Sequence, residues 1–394
     1  MLSLLPLLLC LSFQLPEDPG PFPVGWRDES FQDLRFGQGI VDARVYYPAT
    51  VNGQNAPADP VGGPYPLMGF QHGWLGSAAN YDNLCTHLAS WGYVVSSTDT
   101  ESGLFPDRQA FARDTRAAMW WIEDESADPL SWLADMVDPI APWSAMGHSM
   151  GGGTLSLLIG IEPRVRTIVG LQAAQEPAGL AAMRTFDGAA WWIAGSVDTL
   201  VPPSGVHAWF EEAGMASRRD AYWEVIGMGH TGCTDSPSNG DPLPGAEQFR
   251  VHRRIVTAVL ECEVRGDENL LSTTLGAGAY GEPWSAESDC RIPPVWAIEG
   301  GASIFVGVAG RAGGRAALAW SLTLGSYSTP YGPLGFDPRT AVRAASGLTG
   351  TDGVLEAALP PRGSWLGRTI GFAGIASGAS RPPLLGRTAF VDYP

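Results

Sequence analysis

Charge is scarce in this sequence. Only 16% of the 394 residues are charged, and 41 acidic side chains outnumber 24 basic ones, for a formal net charge of −17. A chain with that balance and no basic run would repel the phosphates whose neutralisation drives nucleic-acid binding, so no nucleic-acid partner is expected. Cysteine is also sparse. The five cysteines form no CxxC pair and no Cys/His cluster with metal-ligand spacing. That argues against a structural zinc, and no metal or organic cofactor is implied. Long apolar runs are missing as well. The stretch MLSLLPLLLCLSF at residues 1–13 is too short to span a bilayer as a helix. It has the character of the apolar part of a secretory signal, though without a Lys or Arg ahead of it, and predicts export from the cell. Cys10 raises the idea of a lipidated N-terminus, which the bulk of Leu9 before it disfavours. Removal of this segment leaves Cys85, Cys233, Cys262 and Cys290. Four cysteines in an exported chain predict two disulfides, with three possible pairings. Cys262 and Cys290 would close a modest loop, so that pair is expected, with Cys85–Cys233 as the other.

Glycine (50), proline (32) and apolar residues (45%) are abundant. The length predicts one large and one small domain. From Val41 to Leu260 apolar runs alternate with helical patterns. Strands are predicted at Val41–Pro48, Pro66–His72, Tyr93–Thr98, Trp143–Gly147, Thr167–Leu171, Ala190–Ala194 and Tyr222–Ile226. Helical spacing is predicted at Asn80–Trp91, Ala110–Ile122, Gly152–Ile161 and Glu247–Leu260. This alternation predicts a mostly parallel sheet covered on both faces, over about residues 25–285. Residues 14–40, rich in Pro, Gly and acids, are expected to lead into the first strands. Near residue 281 the texture changes to a linker-like stretch of turn formers, GEPWSAESDCRIPPVW. Beyond it short apolar runs are separated by Gly, Pro and Ser clusters, which predicts a small antiparallel β-sandwich over about 291–394.

The strongest chemical signal is Gly147-His148-Ser149-Met150-Gly151, a G-x-S-x-G sequence between a predicted strand and a predicted helix. A nucleophile elbow needs small residues at both ends because the chain turns so sharply. It lifts the serine hydroxyl to the start of a helix, where free backbone N–H groups stabilise negative charge. The hydroxyl also needs a positioned base. Six histidines are available. His72 sits in the turn after an early strand, and His87, His207 and His252 fall in helical stretches. His230 lies in the loop Gly227–Gly232 after the last predicted parallel strand, where such a fold presents its base. The acid is expected at Asp198, in the loop GSVDTLVPP after its strand, with Asp235 as runner-up. The order Ser149, Asp198, His230 is the chain order of this kind of site. Acyl transfer also needs N–H donors aimed at the developing oxyanion, each worth roughly 3 kcal/mol. The amides of Met150 and Trp74 are the candidates. Gly73 would let the backbone approach the substrate, and Gly73, Trp74 and His148 are the expected substrate contacts.

These residues resemble a family. GHSMGGG, GSVDTLVPP and the His230 loop are similar to bacterial polyester hydrolases and cutinase-like enzymes, poly(ethylene terephthalate) hydrolases included, from about Val41 to Leu275. GFQHGWLGSAANYDNLCTHLASWGYVV also resembles platelet-activating-factor acetylhydrolases and dienelactone-hydrolase-type proteins. The resemblance implies an α/β-hydrolase fold and a secreted carboxylic-ester hydrolase, polyesterase- or cutinase-like. It implies Ser149, Asp198 and His230 as the triad, the Trp74 and Met150 amides as the oxyanion hole, and Trp74 as an aromatic wall of the acyl pocket. There are departures. The polyester hydrolases carry a Trp after the strand that follows the nucleophile helix, whereas Leu171-Gln172-Ala173-Ala174-Gln175 has no aromatic. Cys233 follows the base with no cysteine in the acid loop, and Glu123–Ile140 is a long insertion. Residues 291–394 lie outside this resemblance and look like small β-sandwich modules of secreted bacterial proteins. They are expected to be a stabilising or sorting appendage, or a surface- or polymer-binding module using Trp296, Trp320, Tyr327, Tyr331 or Trp365. The rival functions are an esterase, lipase or acetylhydrolase-like enzyme on small or lipid esters, and a non-catalytic surface-binding protein that keeps the fold.

Overall fold

The alternation of strand and helix resolves, in a computed structural model, into one large sheet sandwiched by helices and a group of smaller sheets. The structure describes residues 14–393 except 291, 301–302, 312, 330–331, 360–364, 366–367 and 377–383. The expected signal segment, Cys10 and Tyr331 lie outside the described residues.

The first unit runs through β1 (Val24–Asp33), β2 (Gly39–Pro48), β3 (Gly53–Gln54), β4 (Leu67–Gln71), α1 (Asp82–Ser90), β5 (Val94–Thr98) and α2 (Arg108–Ala127). It continues with β6 (Trp143–His148), α3 (Met150–Ile161), β7 (Val165–Leu171), α4 (Leu180–Met183), β8 (Ala189–Gly195), α5 (Pro203–Ala213), β9 (Arg219–Val225), α6 (Gly245–Leu260) and β10 (Trp284–Ser288). The ten strands lie in the order β10-β9-β8-β7-β6-β4-β5-β2-β1-β3. From β9 to β5 every pairing is parallel, while β2, β1 and β10 join antiparallel. This is an α/β-hydrolase fold, as the sequence implied.

The central strands are buried on both faces, which is why they appear in the sequence as continuous apolar runs. In β8, Trp191 and Ile193 point into a core shared with Leu84 and Leu88 of α1 and with Val251 and Ile255 of α6. Ala190, Trp192 and Ala194 point the other way, toward Met119 of α2, Leu155 of α3 and Trp209 of α5. Two elements differ from expectation. Residues 24–33 form a full strand, because its polar side chains alternate outward while the backbone pairs with β2 from Val24–Pro48 to Asp33–Gly39. The linker-like stretch contains β10, which extends the large sheet by pairing Trp284 with Val225 and Ser288 with Ala221.

The remaining strands are β11 (Val295–Gly300), β12 (Ser303–Ala309), β13 (Arg315–Ser321), β14 (Leu324–Thr329), β15 (Gly332–Phe336), β16 (Val342–Leu348), β17 (Val354–Leu359), β18 (Arg368–Ala376), β19 (Leu384–Leu385) and β20 (Ala389–Tyr393). They form a three-stranded sheet β11-β12-β17, a five-stranded sheet built around β13 and β18, and the hairpin β14–β15. Val306 and Val308 of one sheet meet Leu318, Trp320, Ile370 and Phe372 of the other in a common core. Trp296, Trp320 and Trp365 are all buried. That corrects their reading as surface contacts: Trp320 and Trp365 fill the interior of the sandwich, and Trp296 packs into the core of the first unit.

The two units share more than a covalent link. Trp296 on β11 turns away from the sandwich core and packs with Leu270 and Leu271 in the core of the first unit. The exposed edge of β11 is satisfied by side chains, since Val295 N–H donates to Glu268 (2.7 Å) and Ala297 N–H to Asn269 (3.0 Å). Glu268 in turn pairs with Arg219, which also donates to Glu263 (3.1 Å) and to the Ile292 carbonyl (2.8 Å). The chain has no lysine, so all 24 of the cationic side chains other than histidine are guanidinium groups with the fork geometry that suits such multiple contacts.

The expected disulfides are not formed. Cys85, Cys233, Cys262 and Cys290 are buried free thiols. Cys262 instead accepts from Arg219 (3.2 Å), and Cys290 lies 3.8 Å from the Asp220 carbonyl. Burial raises all four thiol pKa values, disfavouring the thiolate through which disulfides form.

Two stability predictions follow from the buried charges. Arg219→Ala leaves Glu268 buried without its cation and should destabilise the fold by roughly 3–5 kcal/mol in urea unfolding. Asp220 on β9 accepts from Trp192 Nε1 (3.1 Å), but its other oxygen has no partner. Burial, with Asp289 nearby, holds its carboxyl well above the usual range. Such a group favours the folded state below its unfolded pKa, and that contribution disappears as pH rises through the folded value. Asp220→Asn keeps the acceptor for Trp192. It should raise the melting temperature by a few degrees at about pH 8 and leave it unchanged near about pH 4.

Candidate active site

The parallel strands deliver their loops to one edge of the sheet, beyond their carboxyl ends, where ligands bind in open α/β sheets. Ser149 follows β6, Asp198 follows β8, His230 follows β9, and the Gly73–Gly76 turn follows β4. Since β8 and β9 are neighbours and β4 lies next to β6, residues scattered over 150 positions converge.

Ser149 has φ 52° and ψ −116°, a conformation that costs an L-residue energy and persists only where the surroundings impose it. They do so here. Ser149 N–H donates to the Leu171 carbonyl (2.9 Å), and its own carbonyl accepts from Gly153 (3.0 Å) and Ala174 (2.8 Å). The glycines are required by contact. A Cβ on Gly147 would come within 2.4 Å of the Gly151 carbonyl oxygen, and one on Gly151 within 2.1 Å of the Gln71 oxygen. Met150 is the first residue of α3, so its amide belongs to the unpaired first turn of the helix.

The three predicted side chains form one hydrogen-bonded line. His230 Nε2 lies 2.8 Å from Ser149 Oγ, and His230 Nδ1 lies 2.7 Å from Asp198 Oδ2. Asp198 is held in turn, because its Oδ1 accepts from the amides of Leu200 and Val201, both at 2.9 Å. Its other oxygen is thereby aimed at the imidazole. Asp235, the alternative acid, is occupied elsewhere: its Oδ1 accepts the Asn83 amide (3.0 Å) at the start of α1, and its own amide donates to Asn80.

Trp74 sits at the second position of a β-turn closed by Gly76 N–H to the Gly73 carbonyl (2.9 Å), a position whose amide the turn does not consume. Its side chain is exposed, with the indole N–H donating to the Leu104 carbonyl (3.2 Å). Gly73 and His148 have internal partners rather than open faces. The Gly73 amide donates to Tyr81 Oη (2.9 Å). His148 is buried, its Nδ1 2.8 Å from Tyr81 Oη and its Nε2 2.8 Å from the His230 carbonyl. Its expected role as a substrate contact is corrected accordingly: the elbow turns the ring into the protein as it turns Ser149 out. Tyr81 is the site residue that sequence reasoning missed. Its helical spacing with Leu84 and Leu88 marks it as a packing residue, and nothing in the pattern reveals its hydroxyl's partners.

Of the other histidines, His72 is buried with each ring nitrogen 2.8 Å from a carbonyl, those of Gly73 and Thr100. His87 contacts Pro16 and Thr257, His207 pairs with Glu287, and His252 bonds to Gln248. Among the described residues no group of three or more His, Cys, Asp or Glu is placed to hold a metal ion, and no helix is long and apolar enough to cross a membrane.

With this geometry in place, comparison with known proteins gives a match to a family model. The family model described as PETase, PET hydrolase-like, covers residues 19–241, more than half of the chain. No curated protein matches the sequence.

The close approach at the elbow yields a prediction. Gly151→Ala forces a methyl into the carbonyl of Gln71 and should destabilise the protein by about 3 kcal/mol or more, read as a lower denaturant midpoint.

Proposed function

This chain belongs to the PET hydrolase-like family and is a hydrolase acting on esters; on that premise we propose that it is a secreted serine esterase of the polyesterase or cutinase-like kind, with Ser149, His230 and Asp198 as its triad. The observation that carries the reading is the unbroken line from Ser149 Oγ through His230 to Asp198, with contacts of 2.8 and 2.7 Å. His230 takes the serine proton as Oγ attacks the ester carbonyl. Asp198 fixes the tautomer and stabilises the imidazolium that forms. The tetrahedral oxyanion is met by the amides of Met150 and Trp74. His230 then protonates the departing alcohol, and a water activated by the same imidazole releases the acid from the acyl-enzyme.

For the substrate, the wall after β7 decides between polymer types. Gln172 there is buried and bonded toward His252, Ala173 is buried, and no aromatic side chain offers a stacking face. This favours aliphatic over aromatic polyesters, and keeps soluble aliphatic and lipid esters as the second reading. Residues 291–394 act in this proposal as a stabilising unit, since their tryptophans are spent on packing. Export fits the apolar residues 1–13, and N-terminal sequencing of protein from the culture medium tests it.

The decisive experiment compares p-nitrophenyl butyrate and an aliphatic polyester film. Ser149→Ala should abolish hydrolysis of both. Asp198→Asn should lower kcat by about 10⁴-fold by presenting the wrong tautomer. Asp235→Ala should leave kcat unchanged and cost about 1 kcal/mol of stability as a lost helix-start contact. Activity in Ser149→Ala equal to wild type would overturn the proposal, whereas activity on the soluble ester alone would replace the polymer reading by the second one.

A further inference from the structure

Behind the triad, on the side away from the substrate edge, runs a second hydrogen-bonded chain that the mechanism above does not use. It begins at the Gly73 amide, passes through Tyr81 Oη and the His148 ring, and ends at the His230 carbonyl, with steps of 2.9, 2.8 and 2.8 Å. Its direction is fixed by its ends. A carbonyl only accepts, so His148 Nε2 carries the proton and donates to His230. His148 Nδ1 is then an acceptor for the hydrogen bond that the Tyr81 hydroxyl donates, which leaves the Tyr81 oxygen free to accept from the Gly73 amide. The opposite tautomer would set the Nε2 lone pair against the His230 carbonyl. It would also leave the Tyr81 proton without an acceptor in this chain. Burial holds the His148 pKa down to about 3, so the ring stays neutral and the direction of the chain is kept at ordinary pH.

Resting on the esterase reading, we propose that Tyr81 and His148 are positioning residues that set the oxyanion turn and the base loop relative to each other. Gly73 immediately precedes Trp74, so the bond that orients the Gly73 amide orients the peptide leading to the oxyanion donor. Contact reinforces it, since a Cβ at Gly73 would lie 2.8 Å from His148 Nδ1 and 3.2 Å from Tyr81 Oη. At the other end the bond is to the backbone of His230 itself, and the two histidine rings lie with centroids 4.8 Å apart. The base loop returns to the same place a few residues later, where the Asp235 backbone amide donates to the Asn80 carbonyl next to Tyr81. Two loops from strands on opposite sides of β6 are thus referred to one phenol and one imidazole next to the nucleophile.

Tyr81→Phe tests this with one atom removed. In the full-length protein, kcat for p-nitrophenyl butyrate is normalised to the serine titrated by a fluorophosphonate. We expect kcat per titrated serine to fall about tenfold with KM nearly unchanged, because a misplaced donor or base costs the transition state more than the ground state. Binding of a trifluoromethyl ketone, which forms the oxyanion adduct, should weaken by a similar factor. His148→Leu should show at least the same loss, and the double variant no more than His148→Leu alone, as expected of residues acting as a unit. Unchanged kcat per titrated serine in Tyr81→Phe overturns the proposal. So does a loss confined to the titratable fraction or the melting temperature, which would mark the pair as structural only. If Ser149→Ala is inactive while Tyr81→Phe is unimpaired, this inference alone fails. If Ser149→Ala stays active, the esterase reading fails and takes this inference with it.

Discussion

The site depends on how closely the chain packs on itself around Ser149. The serine adopts a left-handed backbone conformation that the structure must hold in place, and it does so with three backbone hydrogen bonds and with glycines on either side. At Gly147 and Gly151 the neighbouring carbonyls lie where a Cβ would be, so α3 sits directly on the ends of β4 and β6. That proximity puts the serine hydroxyl and the first amide of the helix at one place, beside the turn after β4. It also forces His148, one residue earlier, into the protein. The placement of Ser149 against His230 and of His148 against Tyr81 are two results of a single sharp turn.

Around that turn two buried charged side chains, Asp198 and Arg219, are each held by several partners. Asp198 has two amides for one oxygen and an imidazole for the other, so its orientation survives without solvent. Arg219 serves Glu263, Glu268 and the Ile292 carbonyl, and through Glu268 fixes the first strand of the sandwich. The same device, a side chain bonding a backbone that would otherwise lack a partner, thus operates beside His230 and at the junction of the two units. Several buried atoms lack such a partner, those of Ser96, Ser97, Gln172, Trp191, Ser217 and Gln248 among them; at Asp220 one oxygen is unpaired, and burial favours the neutral form of its carboxyl. Its neutrality costs little at acid pH and more as pH rises.

The sequence legible at the start was that of the buried sheet and the elbow. Strands with both faces covered are continuous apolar runs, so β4 to β9 were found within a few residues. β9 was the least accurate, because it begins with Arg219 and Asp220, whose charges mimic a loop until their buried partners are known. β1 and β10 were hidden for a related reason. Their polar residues face outward or are paired, and only the backbone ladder identifies them as strands. The count of four cysteines suggests two disulfides, whereas the structure keeps all four as free thiols in a filled interior.

By itself the sequence determined the fold class, the family resemblance, and that Ser149, His230 and one of two acids come to the same edge of the sheet, because those follow from local patterns: apolar periodicity, a glycine-flanked serine and the order of loops after parallel strands. Tertiary structure alone decided that Asp198 rather than Asp235 faces His230, that His148 and Tyr81 lie behind the triad, and that the tryptophans of residues 291–394 are core. Each of those depends on where a side chain points once distant segments are packed. Hydrogen-bond partners 67 and 82 positions apart, as Tyr81 with His148 and His148 with His230 are, leave no periodic trace in the chain.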